Sequence, residues 1–359
     1  MTSVSPRSNA VGAVSGACRR RQTSGYASTL NCAWRAVFIL LALFVATGAA
    51  AQTSWTGAAA DNNWSSPANW NTGTVPNAST VDVVLGVDTT INVDGTFTVR
   101  DLDISGPVML QTGTIDLSGT ATLQADPGTL QIATTISGAG SLVVVGGTVI
   151  LSAANTFTGN VSIEAGELAI TGPGGLGAGA VFFSGGGLVG EGSFALARML
   201  NITAGNTGRV SATAGSVLTL TGSLDRLAGS TLRIGTPGNT GTVVASNAVL
   251  GFGGQSAVAV DAGTLRIGNV NAASSLLGFD GVNGVSGVTL GAGTVLDLNG
   301  FAVDVNGLTG TGKVRTGAGV ATLDLDGASS FAGVIEDGAG TVNLLKDDAT
   351  TTTLSGDST

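Results

Sequence analysis

Apolar residues alternate with polar or small ones in short runs along most of this chain, and glycine punctuates the runs. From about residue 113 one phrase recurs: Gly, a small residue that is usually Thr, then aliphatic residues separated by one variable position, often closed by another Gly. Instances begin at Gly113, Gly128, Gly147, Gly166, Gly215, Gly229, Gly263, Gly293, Gly319 and Gly340, at short but uneven intervals. In Ile115-Asp116-Leu117, Leu232-Arg233-Ile234 and Leu323-Asp324-Leu325 the period is two, which gives a short strand one apolar and one polar face. Glycine at the ends supplies the positive φ angles that sharp corners need, and Asn or Asp nearby does so less cheaply.

A strand this short cannot bury its apolar face alone, whereas coils stacked ~4.8 Å apart give every backbone N–H a partner and close a continuous core. The pattern predicts an all-β parallel β-helix over residues 86–359, with residues 52–85 as an N-terminal Trp-rich cap. At roughly 20 to 25 residues per coil, the chain after residue 51 makes about 12 to 15 coils and ~60 to 70 Å of stack. The competing architecture, antiparallel sandwiches, needs longer strands at regular spacing and aromatic core anchors. The chain after residue 51 holds only nine Phe and three Trp and no Tyr.

Composition narrows the chemistry. With no His in 359 residues, Ser-His-Asp and Cys-His nucleophile systems, an imidazole base and His-ligated zinc are all excluded. A hydrophobic share of 43% and a mean hydropathy of +0.41 argue for a packed core in spite of 58 Gly.

The first 51 residues read as an address. Residues 1–35 carry five Arg and no acid, and Ala36 to Ala51 form an apolar run ending in small residues. Ala49 and Ala51 fit the A-x-A pattern and place signal cleavage before Gln52, and the run is short for the ~20 apolar residues of a spanning helix. Arg19, Arg20 and Arg21 stand too far upstream of that run for twin-arginine export. Cys18 and Cys32 both fall in this leader, so the exported chain is expected to hold no disulfide or thiolate metal ligand. Beyond it the charges are 9 basic and 23 acidic, a net −14, which repels nucleic-acid phosphates and anionic membrane surfaces.

Candidate chemistry is sparse. Trp55, Trp64 and Trp70 could stack on sugars as a glycan site, but the cap reading, in which they cover an open strand edge, is favoured. The G-x-G-x-x-G matches at Gly172, Gly174, Gly177 and at Gly185, Gly187, Gly190 are followed by strand-like residues rather than a helix, so they read as corners. The pairs Asp101/Asp103, Glu164/Glu167 and Asp324/Asp326, with Arg100 and Arg315 nearby in sequence, come nearest to a calcium or lyase-type site. They alternate with aliphatics as Asp116 and Asp297 do, which marks the solvated side of a coil. Arg233 and Arg266 occupy one outward slot of a shared TLRIG phrase and read as ordinary solvation. No catalytic residue, metal site or cofactor is expected.

Residues 147–179 carry a more specific pattern: Leu151-Ser152, Asn155-Thr156-Phe157-Thr158-Gly159, Ile163, Ala165-Gly166, Leu168, Ile170 and Leu176-Gly177. This segment resembles the autotransporter-associated β-strand repeat, also called the passenger-associated transport repeat. A second stretch, Phe331-Ala332-Gly333-Val334-Ile335 with Asp337-Gly338-Ala339-Gly340, Val342, Leu344 and Lys346, is similar to another version of it. Leu354 to Thr359 align with Leu151 to Thr156 without the aromatic-Thr-Gly that follows there, so the chain is expected to stop inside a repeat. Trp55-Thr56-Gly57, Asp61-Asn62-Asn63-Trp64, Asn69-Trp70, Gly73 and Val75-Pro76 resemble the opening of such proteins.

The resemblance implies a type V autotransporter passenger of a Gram-negative bacterium: a right-handed parallel β-helix, exported by a signal peptide and displayed on the cell surface or released. Its partners would be the secretion machinery and an outer-membrane β-barrel translocator, which this sequence does not contain, and beyond them host or glycan surfaces. The role expected is structural, adhesive or transport-assisting and non-catalytic, with a polysaccharide lyase-like β-helix enzyme as the alternative.

Overall fold

The computed structural model describes residues 52–86, 88–246, 252–253, 255–277 and 284–358. The expected leader, with Ala49, Ala51 and both cysteines, lies outside the described residues; Gln52 is the first of them and is exposed. No helix among the described residues is long and apolar enough to cross a membrane.

Residues 50–359 form one compact unit, a nearly all-β parallel solenoid of about 12 turns and about 2% helix. Consecutive strands mostly do not pair with each other, the exceptions being Thr53–Ser54 with Val83–Leu85 and the corner-spanning Ser141–Leu151 with Val161–Ile163. Each pairs in parallel with the strand one coil on, so the chain visits three faces in turn: Leu102–Ser105, Met109–Gln111 and Thr114–Leu117 make one round. The first two faces belong to one 21-stranded sheet because Thr120–Ile132 and Ser141–Leu151 run round a corner between them, with register shifts at Gly146. The third face is split into a 3-stranded and a 7-stranded sheet, and the first ends in a separate 3-stranded sheet. The glycine-led phrases all fall on strands.

The lumen is built from columns of apolar side chains, mostly aliphatic, in register. On the first face one column runs Leu85, Ile104, Leu123, Val144, Ile163, Phe183 and Ile202, all of them buried. Here the coil repeat is nearly constant: Leu102 is met one coil on by Ala121, Leu142 by Val161, and Val161 by Val181. Corners hold this pitch by close backbone approach. A Cβ on Gly159 would overlap the carbonyl oxygen of Gly140, and one on Gly179 that of Gly159, so only glycine fits between successive coils there.

The next residue in the column is Arg226, paired with Ile202 below and Phe252 above. The next coils are longer, Leu200 being met by Leu224 and Thr264 only by Val295, before the spacing shortens again, with Val295 met by Lys313 and Ala302 by Thr322. In the coil between Thr264–Ile267 and Gly284–Leu290 a helix, Val270–Ser275, stands in place of a first-face strand and packs on Ala302–Asn306. Asn269 caps its N-terminus, its side chain accepting from the Ala272 N–H at 2.8 Å.

Candidate functional site

The N-terminal end is closed by the three tryptophans. Trp55 and Trp70 meet edge to face at 5.0 Å, Trp64 and Trp70 at 4.7 Å, and Trp64 stacks on Phe97 of strand Thr96–Val99 at 5.8 Å. All three are buried, Trp64 completely. Two of their indole N–H groups are satisfied internally: Trp70 donates to Trp64 O at 2.8 Å and Trp64 to Pro76 O at 3.3 Å.

The intervening loop is wound around Asp61. Its carboxylate accepts from the Asn63 N–H at 3.0 Å, from Asn69 Nδ2 at 2.8 Å and from the Ser66 hydroxyl. The hydrogen bonds from Ser66 and from the Asn63 backbone hold the Asp61 carboxyl below the usual carboxylate range. Asn62 turns the chain with φ +57°, a conformation that Asn tolerates better than most residues. The Asp-Asn-Asn-Trp and Asn-Trp words are thus parts of one cap, and strand Val83–Leu85 behind it already belongs to the main ladder.

Of the acidic pairs, Asp324/Asp326 is the one that gains neighbours. Asp324 stands opposite Asp304 in the ladder, and Asp324, Asp326 and Asp347 bring carboxylate oxygens within 4.8 Å of one another. Burial, then Asp347, Asp326 and Asp304, push the Asp324 carboxyl above its ordinary range, with Lys346 opposing; burial, Asp304 and Asp347 do the same to Asp326. Asp326 also lines a groove of about 490 Å³ with Gln255, Ser286, Asn306, Asp348 and Thr350. An all-oxygen donor set of this kind suits a hard cation, with water completing the shell.

Asp101 is a corner residue, accepting from the Thr120 N–H at 2.7 Å and from Arg100 Nε at 3.2 Å, while Asp103 lies on the outer side of strand Leu102–Ser105. Glu164 is exposed and Glu167 opens strand Glu167–Ile170. Arg100 ion-pairs with Asp82, which raises its already high pKa. Arg315 faces Asp297 on the third face and so belongs to a different sheet from Asp324.

Both glycine motifs are corners and strands. Gly172, Gly174 and Gly177 lie in the irregular segment before strand Val181–Phe183, and Gly187 and Gly190 sit inside strand Gly187–Gly190.

Two readings of surface charge are corrected. Asp297 is not on a solvated side: it is 0% exposed. It accepts from Arg266 Nε at 2.8 Å and from the N–H groups of Asn299 at 3.0 Å and Gly317 at 2.7 Å, because two turns and an arginine close over it. Arg233 and Arg266 do not share a surface line, since Arg233 lies on the second face in a bidentate pair with Asp261, at 2.7 and 2.8 Å. Neither is simply solvated.

The alternation left Arg226 unnoticed. It is 0% exposed, and burial lowers its pKa to about 9, so it stays charged at neutral pH. Its Nη2 donates to the carbonyl of Leu276, the residue capping the helix C-terminus, at 2.8 Å. Such a carbonyl lacks an intrahelical donor, and a cation there also meets the negative end of the helix.

Asn155 explains the Asn-Thr-Phe-Thr-Gly word. Its Oδ1 accepts from the Ile136 N–H at 2.8 Å and its Nδ2 donates to Gly175 O at 2.7 Å, so one side chain replaces ladder bonds to the coils on both sides. Phe157, two positions on, is buried in the lumen.

No known protein family, curated protein or solved structure matches the chain. What defines its class is its own ladder, that of a parallel β-solenoid.

Proposed function

We propose that the protein is an exported, surface-displayed or released autotransporter-type passenger of a Gram-negative bacterium, in which the solenoid is a structural and adhesive rod rather than a catalyst. The observation that carries this reading is the coincidence of repeat and architecture. The segment from Leu151 to Gly177 that resembles the passenger-associated repeat spans one coil and the start of the next, and its Asn155 and Phe157 have defined jobs between coils. Coils of this kind add one at a time, so folding outside the cell would favour outward transport by a β-barrel partner. The buried cap tryptophans support a sealing role over glycan stacking, and glycan or host contacts would then fall on the polar outer faces.

The test is expression of the full chain in a Gram-negative host and N-terminal sequencing of the product. A periplasmic protein beginning at Gln52 is expected; a cytosolic protein that keeps residues 1–51 refutes export.

A second reading, a polysaccharide lyase-like enzyme, is favoured by one observation, the carboxylates of Asp324, Asp326 and Asp347 converging beside a groove. Polymer turnover that disappears in Asp324→Ala would establish it.

A further inference from the structure

Two of the chain's few cations stand where their charge should keep them apart. Of the nine Lys and Arg after residue 51, Arg209 and Arg233 are ladder partners one coil apart on the second face, in strands Thr207–Ala212 and Thr231–Ile234. At a strand spacing of ~4.8 Å two guanidinium groups repel unless an anion serves both. Asp261, directly after strand Gln255–Val260 of the coil above Arg233, is that anion. It takes the Arg233 fork at 2.7 and 2.8 Å and leaves Arg209 Nη2 at 3.7 Å, too far for a hydrogen bond.

The Arg209 side chain is nevertheless held in place. Its stem lies over Gly187, the ladder partner one coil below, where a Cβ would stand 3.8 Å from Arg209 Cδ. Its Nε is buried and meets no acceptor among the described residues, while 36% of the side chain stays exposed. In the same column the first acid below is Glu167, two coils down, and above Arg233 come Ala259, Thr289 and Thr309. One carboxylate for two arginines leaves a local positive charge on a body of net −14.

Asp261 also borders a groove of about 450 Å³, lined by Thr240, Thr264, Pro237 and the corner glycines Gly263 and Gly293. That volume is in the range of small-molecule sites. We propose that Arg209, Arg233, Asp261 and this groove form a binding site for an acidic saccharide, a uronic acid unit whose carboxylate lies on the arginine forks and whose hydroxyls meet Asp261, Thr240 and Thr264. A planar carboxylate matches a guanidinium fork, and the negative body disfavours densely charged anions such as nucleic acid or polyphosphate. The site rests on the reading that glycan contacts fall on the outer faces. Because binding is read in solution, its failure leaves export untouched, and failed export leaves the site standing.

The test titrates the full chain with sodium glucuronate at low salt by isothermal titration calorimetry. Saturable binding with a Kd on the order of 1 mM is expected for a ligand of this size. Glucose and acetate, which each carry half of the recognised chemistry, should bind at least ~10-fold more weakly. Arg209→Gln should weaken glucuronate ~10-fold or more, as for lost hydrogen bonds to a charged group. Arg198→Gln, which removes the same charge just before strand Leu200–Ile202 of the first face, should leave it unchanged. Should Arg209→Gln lose native circular dichroism, Thr240→Val, at an exposed position, serves instead with an expected loss of ~3-fold. Absence of saturable glucuronate binding, or binding indifferent to both variants, overturns the proposal. So does acetate or glucose binding as tightly as glucuronate, or tetraglutamate binding more tightly, which would make the partner an acidic protein.

Discussion

The lower coils, from Leu85 to Ile202, and the upper coils, from Leu224 to Ile335, solve the same stacking problem by different means. Below, the lumen column is wholly apolar, the pitch hardly changes from coil to coil and glycine corners lock neighbouring backbones together. Above, coil length varies, Thr264 meeting its partner only at Val295, a helix replaces a strand, and charge goes inside or under turns at Arg226 and Asp297. The lower part is uniform because each coil repeats its neighbour's spacing; the upper part tolerates longer excursions because ion pairs and side-chain caps hold what the ladder alone no longer holds. Regular stacking rests mainly on shape, with Asn155 as a neutral polar bridge between coils, whereas the irregular coils add buried charge and its partners.

The largest test of that contrast is Asp297→Ala. It leaves Arg266 without its buried partner and strips an acceptor from two turn N–H groups, so a loss of about 3–5 kcal/mol is expected from denaturant unfolding. A loss below about 1 kcal/mol, the range of an exposed pair, would mean that the upper coils do not rely on it. Gly159→Ala is the matching insult below. Its Cβ forces two coils apart, with an expected cost of about 2–3 kcal/mol, and hydrogen exchange should quicken first in Val161–Ile163.

Arg226→Met keeps most of the volume while removing the charge and the bond to Leu276. A cost of about 1 kcal/mol is expected, because the buried charge given up offsets part of the lost hydrogen bond, and the exchange effect should concentrate at Val270–Ser275. The smallest expected effect has the opposite sign: Asp324→Asn relieves like charges facing across the ladder and should stabilise the upper coils by about 0.2–1 kcal/mol at pH 7.

Acid sharpens the contrast further. The Asp61 carboxyl is lowered in the fold, so its contribution is present above the unfolded carboxylate pKa and fades as pH falls through the lower folded value. Asp324 and Asp326 are raised, so the folded state holds more protons between the unfolded and folded values; their burden is present at neutral pH and lifts as pH falls through that window. Falling pH should therefore tighten the last coils first and loosen the Trp cap only in stronger acid, below the ordinary carboxylate range, an order that site-resolved exchange, corrected for intrinsic pH dependence, will report.

The parallel coil was legible in the sequence because its cause is local: alternation of period two and glycine at the corners both appear within a single short phrase. That the three tryptophans belong together was legible for the same reason, their words lying close together between Trp55 and Pro76. Arg226 was not, because Leu224-Asp225-Arg226-Leu227 alternates equally well in either phase. A hydrophobicity rule buries Leu227, but the ladder leaves Leu227 exposed and turns Arg226 inward, where the carbonyl of Leu276, from a later coil, receives it. Asp297 failed for a similar reason: the turns that cover it include one from the next coil. Asp347 joins Asp324 and Asp326 only through the fold, since nothing in its own neighbourhood marks it as their companion.

The ladder bonds run along the stack, from each coil to the one above. A pull that draws the coils apart therefore loads these bonds directly, one coil interface after another. Drawn from its C-terminal end, the protein should give way by peeling in steps, and each coil of about 20 residues should release ~65–70 Å of chain. The sawtooth should be even through the lower coils and uneven through the upper ones, so that a force trace becomes a ruler for the pitch.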